Sequence, residues 1–115
     1  MKLDAIRQDL SLKVQSAGDR LDKQVTGGYA SDLLSCVMAK AQAGNVWVTL
    51  QAHPNIVAVA TLLNLAGIII TEGVEPDQAT CSKADEEGVP LLTTPWTTFT
   101  VVSKLAELGV HGVDA

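Results

Sequence analysis

Asn45-Val-Trp-Val-Thr-Leu-Gln-Ala-His-Pro-Asn55, followed by the apolar run Ile56 to Leu65 and then Gly67-Ile-Ile-Ile-Thr71, reads as strand, polar turn, helix and strand. Two apolar strands joined through a crossover helix must pair in parallel. Parallel sheets place their ligand-binding loops at the carboxyl ends of the strands, so this stretch decides both the fold class and where a site should be sought.

The pattern extends in both directions. Upstream, Lys2–Gln8 reads as a short helix, Leu12–Val14 as a short strand and Ser16–Lys23 as a polar hinge; the Gly27-Gly28 pair leads to Ser31, an expected N-cap. A helix is expected over Asp32–Ala41, with Leu33, Leu34, Val37, Met38 and Ala41 as its buried stripe and Gly44 beyond its end. Downstream, Pro76 opens a polar helix over Asp77–Glu87 that Gly88 closes. Val89–Leu92 is the last strand, Pro95 opens a helix over Trp96–Leu108, and the tail Val110–Ala115, without periodicity, is expected to be loose. The predicted fold is a three-layer α/β domain, residues 1–115, with a mostly parallel sheet of about five short strands and helices on both faces.

With 115 residues, the chain can build one core but not two. A net charge of −5, from eight basic and thirteen acidic residues, argues against a nucleic-acid partner, since phosphate backbones are bound by clustered Lys and Arg. The apolar segment Ile56–Ile70 is broken by Thr61, Asn64 and Gly67 and falls short of the ~20 residues of a membrane span. The acidic N-terminal stretch is no secretory signal, so a cytoplasmic protein is expected. Cys36 and Cys81, without a metal-ligand spacing, are expected to be packed, reduced thiols.

The helix over Pro54–Ala66 is apolar all round, which requires cover on both sides. A two-fold homodimer is therefore expected, with Ile56, Val59, Ala60 and Leu63 at its interface; burial under one of the chain's own ends is the alternative.

If the sheet is parallel, its strand-end turns gather Thr49, Gln51, His53 and Asn55 after one strand, Thr71, Glu72 and Gly73 after the next, and Thr93 and Thr94 after the last. Helix N-termini there offer free N–H groups, so a small anionic metabolite or nucleotide is the expected ligand. Each of these residues is also an ordinary capping or turn residue. His53 is the strongest single candidate because it precedes Pro54 at a strand-to-helix junction and histidine is the residue type most often used as an acid or base. The acidic run Asp85-Glu86-Glu87 is expected to be a solvated face. No phosphate loop, dinucleotide fingerprint or nucleophile elbow is present, and His53 and His111 are too far apart in the chain to suggest a metal centre, so neither metal nor cofactor is expected.

The segments Thr26–Ser35, Val46–Ala60, Ile68–Pro76 and Glu87–Leu92, in order, resemble the DRTGG domain family over nearly the whole chain. The resemblance places the family's Asp-Arg-Thr on Ala52-His53-Pro54 and its Thr-Gly-Gly on Thr71-Glu72-Gly73, so only Thr71 and Gly73 are kept and His53 stands in for the Arg. The family's domains are similar to segments of phosphotransacetylases and of CBS-containing pyrophosphatases, where they accompany the catalytic part, and to the N-terminal domain of HPr kinase/phosphorylase. Stand-alone versions resemble proteins encoded near iron hydrogenase subunits. The resemblance thus implies a non-catalytic regulatory or ligand-binding domain, accessory to an enzyme of redox or phosphoryl and acyl metabolism such as a hydrogenase. An interaction scaffold without a small ligand is the alternative, and a small enzyme using His53 with Glu72 as its orienting carboxylate is the remote one.

Overall fold

The computed structural model describes residues Met1–Ala115. Its elements in chain order are α1 (Leu3–Asp9), β1 (Lys13–Ser16), a 3-10 turn (Gly18–Arg20), β2 (Gly27–Ala30), α2 (Leu34–Lys40), β3 (Asn45–Thr49), α3 (Asn55–Leu63), β4 (Gly67–Ile70), α4 (Gln78–Glu87), β5 (Leu91–Thr93) and α5 (Thr98–Glu107). The sheet order is β1-β5-β4-β3-β2, with β2 to β5 parallel and β1 antiparallel on β5.

Every residue of β3, β4 and β5 is buried, as expected of strands covered on both faces. Strand alternation divides them. Trp47, Ile68, Ile70 and Leu91 join Val37 of α2, Ile56, Val57 and Ala60 of α3, and Ala84 of α4. Val46, Val48, Ile69 and Leu92 join Leu3 and Ile6 of α1 and Val101 and Leu105 of α5. Three helices therefore cover one face and two the other, the expected three-layer architecture.

Helix starts differ from the sequence expectation by one or two residues. Ser31 does not cap α2; its Oγ accepts from the Leu33 backbone amide at 3.1 Å and closes a turn ahead of the helix. Asp77 and Thr97 cap α4 and α5 through Thr80 and Thr100, so Pro76 and Pro95 lie outside their helices. A side-chain acceptor three residues before a free N–H outranks the proline signal.

The tail is not loose. The Gly28 amide donates to the His111 carbonyl at 2.9 Å, and Gly112 pairs with Gly28 in parallel, adding a short stub to the open edge of β2. A Cβ on Gly27 would meet the His111 oxygen at 2.9 Å and one on Gly28 would meet Val110 at 3.3 Å, so the glycine pair is what lets the tail approach. Docking through backbone leaves no trace in side-chain periodicity. Asp85 likewise does more than face solvent: its carboxylate accepts from the Ala17 amide at 2.8 Å and pins the hinge after β1, while Glu86 and Glu87 are exposed.

Candidate functional site

The parallel strands end on one side of the sheet, and their turns form two hydrogen-bonded groups. The first is built on Asp32. Its carboxylate accepts from Thr49 Oγ1 at 2.7 Å and from the Leu50 amide at 2.9 Å, and its carbonyl accepts from Gln51 Nε2 at 3.1 Å. The turn after β3 is thereby tied to the turn after β2. His53 is exposed and its Nδ1 accepts from the Asn55 amide at 3.1 Å, at the start of α3. Thr80 Oγ1 of α4 donates to the Ala52 carbonyl at 2.8 Å.

The second group is built on Thr71 and Glu72. Thr71 is fully buried, and its hydroxyl lies 2.6 Å from that of Thr98 and within 3.4 Å of the Thr49 carbonyl. Glu72 has a φ of +62°, a left-handed conformation that favours glycine. Its amide donates to the Trp96 carbonyl, and its carboxylate accepts from the Thr98 amide at 2.8 Å in the first turn of α5. Gly73, also left-handed, donates to the Thr94 carbonyl, and Thr94 Oγ1 accepts from the Trp96 amide. Thr93 is buried and its hydroxyl accepts from Gln15 Nε2 at 3.0 Å; Gln15 also donates to Glu75.

The structure thus gathers Thr49, Gln51, Thr71, Glu72, Gly73 and Thr94 through direct bonds or a shared turn, whereas Thr93 turns toward β1 and His53 and Asn55 bond to one another. Sequence reasoning missed Asp32, Gln15, Asp77 and Thr98. Asp32 was detectable as a carboxylate two residues beyond a strand; Gln15 was not, because its role depends on β1 lying beside β5.

The free N–H groups on which an anion site rests are occupied by the chain's own carboxylates: Glu72 at α5 and Asp77 at α4. No Lys or Arg lies in these turns, and Asp32, Glu72, Glu75 and Asp77 surround them. The backbone and side-chain hydrogen bonds from Thr80 hold the Asp77 carboxyl below the usual carboxylate range, with His53 adding a smaller favourable field. His53 and Glu72 share no hydrogen bond, so the pairing on which the remote catalytic reading depends is not formed. No cluster of three His, Cys, Asp or Glu is placed to hold a metal ion, and both cysteines are free and half-buried.

Glu72 makes a specific prediction. Glu72→Ala keeps the left-handed strain and loses the bond to α5, so it should destabilise by about 1 kcal/mol. Glu72→Gly loses the same bond but relieves the strain, so its urea midpoint should lie above that of Glu72→Ala and close to wild type. Equal midpoints for the two variants would show that the conformation of residue 72 carries no strain.

A three-layer α/β domain whose strand-end turns are cross-braced by their own carboxylates is the class that fold and site define. The chain belongs to the DRTGG domain family, whose model matches residues 15–108. No characterised protein outside the solved structures matched in the sequence comparison. Among solved structures, the chain is similar to the CBS and DRTGG domains of the regulatory region of Clostridium perfringens pyrophosphatase, in complex with the activator diadenosine tetraphosphate, with a TM-score of 0.74 and 22% identity. The likeness covers 97% of this chain and 48% of that one, so the chain spans about half the length of its solved relative. No helix is long and apolar enough to cross a membrane.

Proposed function

We propose that the chain is a regulatory domain, without catalysis of its own, that binds a small ligand at the carboxyl ends of β3, β4 and β5 and acts as a homodimer on a partner enzyme in the cytoplasm. One observation carries the reading: Glu72, in a strained conformation, seats its carboxylate on the first turn of α5. A phosphate or carboxylate of a nucleotide or small metabolite reaches that turn by displacing Glu72. The exchange replaces one anion by another and releases the β4–α4 loop, so ligand binding and a change of loop conformation become one event. The solved relative, a regulatory region bound to a nucleotide activator, supports this class of role. The outward face of α3 supports the dimer, because Ala58, Thr61 and Leu62 are exposed on an otherwise apolar helix.

The test is a thermal-shift panel of nucleotides, acyl phosphates, coenzyme A derivatives and simple anions. A ligand at roughly 100 times its Kd should add about 2.7 kcal/mol, a rise of several degrees. The rise should be larger at equal concentration in Glu72→Ala, where the turn of α5 is already open, and smaller in His53→Ala, which removes the only base from the turns. Absence of any shift across the panel would end this reading and leave the interaction scaffold.

A further inference from the structure

A cavity of about 430 Å3 lies away from the strand-end turns, at the β2 edge of the sheet between α5, the docked tail and Lys40 at the end of α2. Its origin is geometric. On the α1/α5 face the other strands carry Val46, Val48, Ile69 and Leu92, all covered by α1 and α5. The last strand, β2, presents only Gly28 and Ala30, and α5 packs over β3, so no helix fills the space beside it. The exposed Ala30, Val102 and Ala106 form the apolar wall above the buried Val48 and Leu105, and the docked tail closes the remaining side with Val110 and Val113. The volume lies in the range of small-ligand sites, about 300–1,000 Å3. Lys40 and His111 stand at the rim with a single acid, Asp114, and Lys40, which like the other lysines forms no ion pair, is the one lysine that lines the cavity.

We propose that this cavity is a binding site for a small carboxylate with an apolar body, such as a medium-length acyl chain, whose hydrocarbon part lies on Val102, Ala106 and Val110 and whose head pairs with Lys40. The apolar lining supplies the affinity, at about 25 cal/mol per Å2 of apolar surface removed from water, and the unpaired lysine selects the sign of the head group. Because the tail forms one wall, occupancy also fastens the tail to β2 and should slow exchange of the Gly28 amide, which donates to His111. This site is independent of the Glu72 turn and of any ligand bound there.

The test is a titration of the full chain with octanoate and, separately, octylamine, followed by methyl and amide NMR. Octanoate should shift the methyl signals of Val48, Val102 and Val110 and slow exchange at Gly28. Octylamine should bind about two- to fivefold more weakly, the discrimination that one exposed charge provides. Lys40→Glu should weaken octanoate by about the same factor, and Ala106→Phe, an exposed position of α5 beside the cavity, should abolish binding while leaving the rest of the spectrum unchanged. Shifts confined to other residues, equal binding of the amine, retained binding in Ala106→Phe or no binding at all would each overturn the assignment.

Discussion

Trp47→Ala should cost about 3–5 kcal/mol, a large share of the ~5–15 kcal/mol that stabilises a domain of this kind. Trp47 is completely buried at the centre of β3, in the cluster formed with α2, α3 and α4. Its indole Nε1 also donates to the Ser31 carbonyl at 2.9 Å, so it joins the sheet to the turn in which Asp32 braces Thr49 and Leu50. Two effects are therefore superposed, a cavity in the core and a loosened strand-end turn. Trp47→Phe separates them, because it fills most of the volume and loses the hydrogen bond, for a cost of about 1–3 kcal/mol from the orphaned acceptor and the smaller ring. Urea unfolding followed by circular dichroism measures both, with Trp96 unaffected at the surface. A loss below about 1 kcal/mol in Trp47→Ala would show that β3 is not the packing centre of the fold.

The parts of the molecule that were legible in the sequence are those written in side-chain character. The β3–α3–β4 unit could be read because Val46–Val48 and Ile68–Ile70 are apolar without interruption, and only strands covered on both faces tolerate that. The orientation of β1 could not, because its antiparallel place beside β5 depends on strand order, which leaves no period. The dimer expectation shows the same limit at the level of single residues. Ile56 and Ala60 are each only 1% exposed, enclosed by this chain's own core, and Val59 and Leu63 are half-buried against it. An apolar residue records that it is covered, not by which chain. The strand-end turns were legible in position and not in charge. Thr49, Thr71 and Thr94 lie where strand-end turns had to place them, but the bond Glu72 makes was not legible, because the left-handed turn that aims its carboxylate at α5 depends on three-dimensional placement of Thr98, which is distant in sequence.

Wild-type protein should sediment as a dimer, and the double variant Ala58→Asp, Leu62→Asp should sediment as a folded monomer. The choice of positions follows from the burial of α3. Substituting Val59 or Leu63 would damage the core on which both rest, so loss of dimer and loss of fold would be confounded. Leu62 is 70% exposed and Ala58 is one turn before it on the same stripe, so carboxylates there remain solvated in the monomer. In a two-fold interface each substitution appears twice, and four carboxylates on facing copies of α3 would be buried without partners. Removing the partner of a buried charge costs about 3–5 kcal/mol, so even one such pair would weaken a micromolar dimer by more than about a hundredfold. Met38, exposed on α2 beside α3, offers further apolar surface for the contact. Sedimentation at several concentrations reads the mass, and circular dichroism with a urea midpoint near wild type establishes that the variant is folded. An unchanged dimer in the double variant would place the interface elsewhere on the molecule, and a monomeric wild type would leave Leu62 as a contact for a different protein.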